Sequence, residues 1–234
     1  MKNLLIFVNP KKEFVDNYET QMKMQIDNSL SLGWKVEDII LALNFDFEYR
    51  GVKSVVVDDS CYYGKRRRAS KQTTICYLLD KGLIKDDCWV HDGDAFQLLP
   101  FETGEPDLEG KDIGFVSNIP SPHLIDWNGG SFFFKPSAKD VFDLIREDMY
   151  KHGYHDEQSI TVMSRRNTNN IRDRYKMLNC TYNLTYVRNT EDFYDNAIKP
   201  IKVLHFNPVV NYDNFKFLIP NNLLLILRRY NYES

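Results

Sequence analysis

Residues 89–98 read Trp-Val-His-Asp-Gly-Asp-Ala-Phe-Gln-Leu (WVHDGDAFQL). Trp89 and Val90 suit a strand buried on both faces, whereas Asp92 and Asp94 are residues that such a strand avoids. A strand ending on two carboxylates with one glycine between them sets acidic groups at the rim of the core. In an open α/β sheet that rim, beyond the carboxyl ends of the strands, is where ligands bind. Two carboxylates there offer oxygen ligands to a hard divalent cation, which in turn attracts a diphosphate, and Gly93 permits a tight turn between them. The plain alternative is a solvated polar turn, because short D-x-D matches arise by chance.

The sequence around this decapeptide supports the strand-end reading. Leu4–Val8 is a continuous apolar run, the pattern of a strand covered on both faces. Tyr18, Met22, Ile26 and Leu30 follow at helical spacing, and Gly33 is placed to end that helix. Asp38–Leu43 and Val52–Val57 read as the second and third strands. Ala69–Leu83 reads as a helix whose Ile75, Leu78, Leu79 and Leu83 share a face, and Asp87–His91 is the strand entering the acidic pair. This alternation predicts an α/β fold with a mostly parallel, Rossmann-type central sheet flanked by helices. Further on, Ile113–Ser117, Ser131–Lys135, Tyr182–Val187 and Lys202–Phe206 read as strands. Ser137 and Asp140 mark the start of a helix through Tyr150. Asp156–Ser164 and Leu223–Tyr230 read as shorter helices.

No repeat, low-complexity stretch or linker divides the 234 residues, so one domain is expected over 1–234. A nucleotide-binding half covers about 1–98 and an acceptor-side half 99–234. A net charge of −3 excludes a global field for nucleic acid or an anionic membrane. Four separated cysteines without C-x-x-C argue against a zinc site and for reduced thiols. The apolar runs in MKNLLIFVNP and NNLLLILRRY are too short to span a bilayer. No membrane partner is expected, and the location is read as cytoplasmic, or host-cytoplasmic if the source is viral.

Four other stretches carry chemistry. GKRRRASKQ (64–72) sets Arg67, Arg68 and Lys71 at a helix entry, where basic groups and the helix N-terminus favour phosphate. A solvated charge run is the alternative there. WNGGSFFFKPS (127–137) offers the Asn128 amide to a hydroxyl, and Gly129 and Gly130 admit a close backbone approach. A plain turn before a strand fits the same residues. HDEQSI (155–160) puts Asp156 and Glu157 at a helix start, where the macrodipole alone favours acids. VLHFNP (203–208) presents His205 after a late strand, a possible Mn²⁺ ligand beside carboxylates, although a lone histidine is more often structural.

In this order and spacing, the motifs between residues 4 and 207 resemble the DxD-containing GT-A-fold glycosyltransferases, of glycogenin-like or small phage and bacterial type. The resemblance implies a nucleoside-diphosphate sugar as donor, most simply a UDP-sugar, and transfer to an acceptor hydroxyl. It implies Mn²⁺ or Mg²⁺ held by Asp92, Asp94 and His205, with Asp92 and Gly93 also beside the donor. Asn9, in the Asn9-Pro10 turn, falls where the family binds uracil or ribose. Arg67, Arg68 and Lys71 are expected on the diphosphate, and Asn128, Gly129 and Gly130 along the sugar. Asp156 and Glu157 are expected to orient the sugar or serve as base. The K-P-W that often follows the histidine in glycogenin-like members is missing. The acceptor stays open: a glycan, a protein, or a hydroxymethylated base in phage DNA.

Three other readings compete. A sugar-nucleotidyltransferase needs a glycine-rich loop after the first strand, where this chain has NPKKEF. A haloacid-dehalogenase-type phosphotransferase carries its D-x-D on the first strand. A non-catalytic carbohydrate- or nucleic-acid-binding module would use the aromatic surface and the Lys65–Arg68 run.

Overall fold

The computed structural model describes residues 1–117, 127–185, 194–206 and 216–232, with the backbone alone at Arg68. The first half builds β1 (Lys2–Phe7), α1 (Tyr18–Ser31), β2 (Ile39–Leu43), β3 (Glu48–Tyr49), β4 (Val52–Val56), α2 (Ser70–Asp80) and β5 (Cys88–His91). β4, β2, β1 and β5 lie side by side, all parallel. Successive strand residues point to opposite faces. Leu4 accordingly packs with Ile75 and Leu78 of α2 on one face. Leu5 packs with Met22 and Ile26 of α1 on the other. The apolar run of β1 is thus explained by helices on both sides of it.

β6 (Ala95–Gln97), β7 (Ile113–Ser117), β8 (Trp127–Phe134), α3 (Lys139–His152), α4 (Asp156–Arg166) and β9 (Tyr175–Leu178) follow. β8 runs antiparallel to both β5 and β7, and β9 pairs parallel with β7. The central sheet has eight strands in the order β3-β4-β2-β1-β5-β8-β7-β9, mostly parallel, flanked by helices. A smaller sheet of β10 (Leu184–Thr185), β11 (Val203–His205) and β6 sits beside it, in the order β10-β11-β6. α5 (Asn221–Arg229) packs on α1. There the buried carboxylate of Asp27 accepts hydrogen bonds from Arg229 at 3.1 Å and the Tyr230 hydroxyl at 3.1 Å. None of the described helices is long and apolar enough to cross a membrane.

Several local expectations change. α2 ends at Asp80, because Gly82 adopts φ +63° and turns the chain. Leu83 therefore lies beyond the helix and is exposed instead of sharing its apolar face. Ser137 does not cap α3. It sits in a short 3-10 turn, Pro136–Ala138, and its hydroxyl donates to Asp112 instead. β8 begins at Trp127, four residues before the expected strand, so the Asn-Gly-Gly segment lies within a strand and not in a turn before one. The late strand expected over Tyr182–Val187 is Leu184–Thr185, and residues 186 and 187 lie outside the described residues.

Arg174, just before β9, ties this edge of the sheet to α3. Its guanidinium donates to Asp112 at 2.6 Å and to both oxygens of Asp140 at 2.7 and 2.8 Å. The Asp112 carboxyl is held below its ordinary value: burial acts against this, and Ser137 and Arg174 outweigh it. Arg174 does the same for Asp140. Arg174→Gln is expected to lower the unfolding free energy by about 1–2 kcal/mol, because Asp140 is open to solvent and screened. A depressed carboxyl stabilises the fold above its unfolded value of about 4 and loses that contribution as pH falls through the folded value. The gap between wild type and variant in urea unfolding should therefore be full at neutral pH and close in acid.

Candidate active site

The acidic pair sits at the carboxyl end of β5, in the crevice that the strand order opens beside β1. The turn that holds it is pinned from three directions. The Asp92 N–H donates to the Gly130 carbonyl in β8 at 2.9 Å. The Ala95 N–H donates to the Asp92 carbonyl at 3.0 Å, closing the turn. The buried amide of Gln25, on α1, donates to the Gly93 and Ala95 carbonyls at 2.9 and 3.0 Å. Gly93 is confined as well, because a Cβ there would meet Gln21 and Met22 at 3.0 Å.

His205 arrives through the small sheet. β11 pairs antiparallel with β6, setting His205 opposite Ala95, and the Phe206 N–H donates to the Asp94 carbonyl at 2.8 Å. His205 Nε2 lies 3.3 Å from Asp94 Oδ1. One ligand atom each from Asp92, Asp94 and His205 lies within 4.8 Å of the others. Among the described residues the buried Nδ1 of His205 has no hydrogen-bond partner. Two carboxylates and one imidazole at one point make a donor set that fits a divalent cation. Burial acts against protonation of His205, but the hydrogen bond and charge of Asp94 outweigh it and hold its pKa above the ordinary value.

Lys71, on the first turn of α2, reaches the same place. Its ammonium lies 2.7 Å from Asp92 Oδ1 and also donates to the Gly129 carbonyl. Burial opposes the charge on Lys71, and Asp92, Asp156 and Glu157 together raise its pKa all the same. Asp92 is held low because the charges of Lys71 and His205 overcome its burial. Glu157 Oε1 accepts the Gly129 N–H at 2.6 Å. Burial, reinforced by the neighbouring charge of Asp156, pushes the Glu157 carboxyl up to about 7. α4 starts with a reciprocal cap in which His155 Nδ1 accepts the Gln158 N–H and the Gln158 side chain accepts the His155 N–H. The acidic pair thus occupies a helix start, as the macrodipole favours, and also faces the site.

Asn9 is buried in the turn after β1. Its Oδ1 accepts the Lys11 N–H at 2.9 Å, and its backbone exchanges hydrogen bonds with Asn44. Arg67 lies over the rings of Tyr18 and Phe7, 4.8 and 5.5 Å from their centroids, at the carboxyl end of β1. The side chain of Arg68 lies outside the described residues. Asn128 Oδ1 accepts the Gly130 N–H at 2.8 Å.

Three contributors carried no recognisable motif. Gln25 sits within an apolar helical stripe and clamps a turn about seventy residues away in sequence. His91, stacked on Trp89 with ring centroids 3.9 Å apart, joins β5 to β1 through Asn3. Burial pushes its pKa down to about 4, leaving a neutral structural ring. Tyr232 packs against Phe96 and Phe206, and burial together with the nearby charge of Asp94 pushes its hydroxyl up to about 12.

No family model matches the sequence, and no curated protein matches it significantly. Solved structures do resemble its fold. The galactosyltransferase LgtC, solved in complex with donor and acceptor sugar analogues, aligns at a TM-score of 0.60 and 11% identity over 98% of this chain and 100% of its own. The glycosyltransferase GlyE of Streptococcus pneumoniae TIGR4 aligns at 0.57 and 12% identity; this chain is covered completely and spans 63% of the length of GlyE. Mouse xyloside xylosyltransferase 1 aligns at 0.52 and 13% identity over 88% of this chain and 97% of its own. The central sheet, its strand order and these likenesses together establish that the chain has the GT-A fold of glycosyltransferases.

Proposed function

We propose that this chain is a metal-dependent glycosyltransferase that moves a sugar from a nucleoside-diphosphate sugar, a UDP-sugar in the simplest case, to an acceptor hydroxyl. The observation that carries the reading is the convergence of Asp92, Asp94 and His205 at the carboxyl end of β5 within a GT-A frame. A Mn²⁺ or Mg²⁺ ion bound there supplies positive charge against the negative charge that grows on the leaving diphosphate. Asp92, Asp94 and His205 hold the ion. Lys71 keeps Asp92 ionised and aimed, and its remaining N–H is available to a phosphate oxygen. Arg67 and the rings beneath it offer charge and a stacking surface to the nucleotide side of the donor.

Asp156 and Glu157 face the sugar side of the cleft through Gly129. A carboxyl with a pKa of about 7 is suited to accept a proton near neutral pH, so Glu157 is the better placed of the pair to act as base. Residues 1–98 form the donor half and 99–234 the acceptor half of one transferase unit. A cytoplasmic location, where the four buried free cysteines stay reduced, belongs to the same proposal.

Calorimetric titration with Mn²⁺ and UDP is the direct test. The wild type should bind UDP at least tenfold more tightly with Mn²⁺ present, and chelation should abolish nucleotide-sugar hydrolysis. Asp94→Asn should cut both ion binding and turnover by about 100-fold. Full binding and turnover in that variant would sink the mechanism, and salt-sensitive oligonucleotide binding without turnover would favour a binding module. A second prediction concerns pH. A base must be deprotonated to work, so turnover should rise with pH through about 7. Glu157→Gln should lower kcat by roughly 10²–10⁴-fold and remove that acidic limb from the rate profile.

A further inference from the structure

β8 runs through the middle of the molecule with every residue from Trp127 to Phe134 buried, yet two of its eight positions are glycine. Glycine in a strand interior costs about 0.5–1 kcal/mol relative to alanine. Neither Gly129 nor Gly130 has the positive φ that only glycine adopts with ease. Space is therefore the remaining reason, and the two positions differ sharply in it. A Cβ on Gly129 would meet Glu157 Oε1 at 3.3 Å and Asp156 Oδ2 at 3.6 Å, tight contacts that a small side-chain shift relieves. A Cβ on Gly130 would lie 2.9 Å from His205 Nε2 and closer still to Cε1 and Nδ1, within the van der Waals volume of the imidazole. The volume that a side chain would fill at residue 130 is the volume that the His205 ring occupies.

Gly130 also touches the other side of the same cluster, because its carbonyl accepts the Asp92 N–H at 2.9 Å. Its own N–H is held by Asn128 Oδ1 at 2.8 Å. β8 is held on both edges by antiparallel pairing with β5 and β7, so a side chain at 130 cannot be accommodated by moving the strand away. The ring would have to leave.

We infer that Gly130 is a positioning residue for the metal cluster: its bare Cα provides the seat for the His205 imidazole, and any side chain there expels the ring while Asp92 and Asp94 stay on their turn. This rests on the metal reading above, and it differs from the sugar-lining role that the resemblance implies for Gly130. A sugar-lining glycine would act on the donor independently of His205. A seat for His205 acts only while the ring is there.

A double-mutant cycle of Gly130→Ala and His205→Ala separates the two, read in two ways on purified protein. The first is the thermal midpoint without metal, which depends on neither the donor nor the ion. Overpacking should make Gly130→Ala lower the midpoint by about 2–10 °C in the wild-type background. In the His205→Ala background the same change should shift it by less than about 2 °C, since the ring is gone. The second is Mn²⁺ affinity by titration. Gly130→Ala should weaken it at least tenfold in the wild-type background and leave the residual affinity of His205→Ala unchanged. Additive midpoint losses, or wild-type Mn²⁺ affinity in Gly130→Ala, would overturn the inference. If Gly130→Ala does not fold, recovery of folded protein in the double variant supports the seat, and its failure overturns it. If the wild type takes up no Mn²⁺, the metal reading fails, and the thermal arm alone decides whether Gly130 seats the ring.

Discussion

The site depends on one buried ammonium. Lys71 pairs with Asp92 at 2.7 Å and donates to the Gly129 carbonyl, so it joins α2 to the end of β5 and to the middle of β8. A carboxylate at the rim of a packed sheet is stable only where a charge or several hydrogen bonds compensate it. Lys71 provides that compensation for Asp92 and holds its carboxyl low against burial. Asp156 and Glu157 act on the same ammonium from α4. Four elements thus meet around one positive charge.

That charge is not enough for its neighbours. Asp92, Asp94, Asp156 and Glu157 surround one lysine and one histidine. The shortfall shows at Glu157, whose carboxyl rises to about 7 because it is buried beside Asp156. It shows again at His205, whose pKa is raised by Asp94. A cluster with this balance favours an added cation.

Much of the frame was legible in the residues. β1, β2, β4, β5 and β7 follow from apolar runs bounded by polar turns, and α1 from its stripe of Tyr18, Met22, Ile26 and Leu30. The order of motifs also carried Asp92, Asp94 and His205, whose ligand atoms the fold brings within 4.8 Å of one another. The chain was less legible where tertiary pairing overrides local pattern. β6 is three residues long and follows directly on the acidic turn, so it has no periodicity of its own; it exists because β11 pairs with it. β9 buries only its last residue, Leu178, and exposes the apolar Met177, so it lacks a strand pattern of its own and is a strand only because β7 offers it an edge. Ser137 reads as a helix cap, but Asp112 captures its hydroxyl. Asn9 reads equally as a strand-ending turn or a nucleotide contact, and the packing shows its part in the turn, where Lys11 and Asn44 bond its polar groups.

By itself, the sequence determined the alternating architecture and the identity of the chemical groups. Hydrophobic periodicity is a local property, and carboxylate and imidazole are the same groups wherever they stand. Only the tertiary structure decided how those groups meet. A hundred and eleven positions separate Asp94 from His205 in the chain, yet they lie 3.3 Å apart because two short strands pair. The meaning of Gly129 and Gly130 was likewise undecided until the neighbouring side chains were in place. A glycine in sequence states only that a side chain is missing, and the packing around it determines what takes the space.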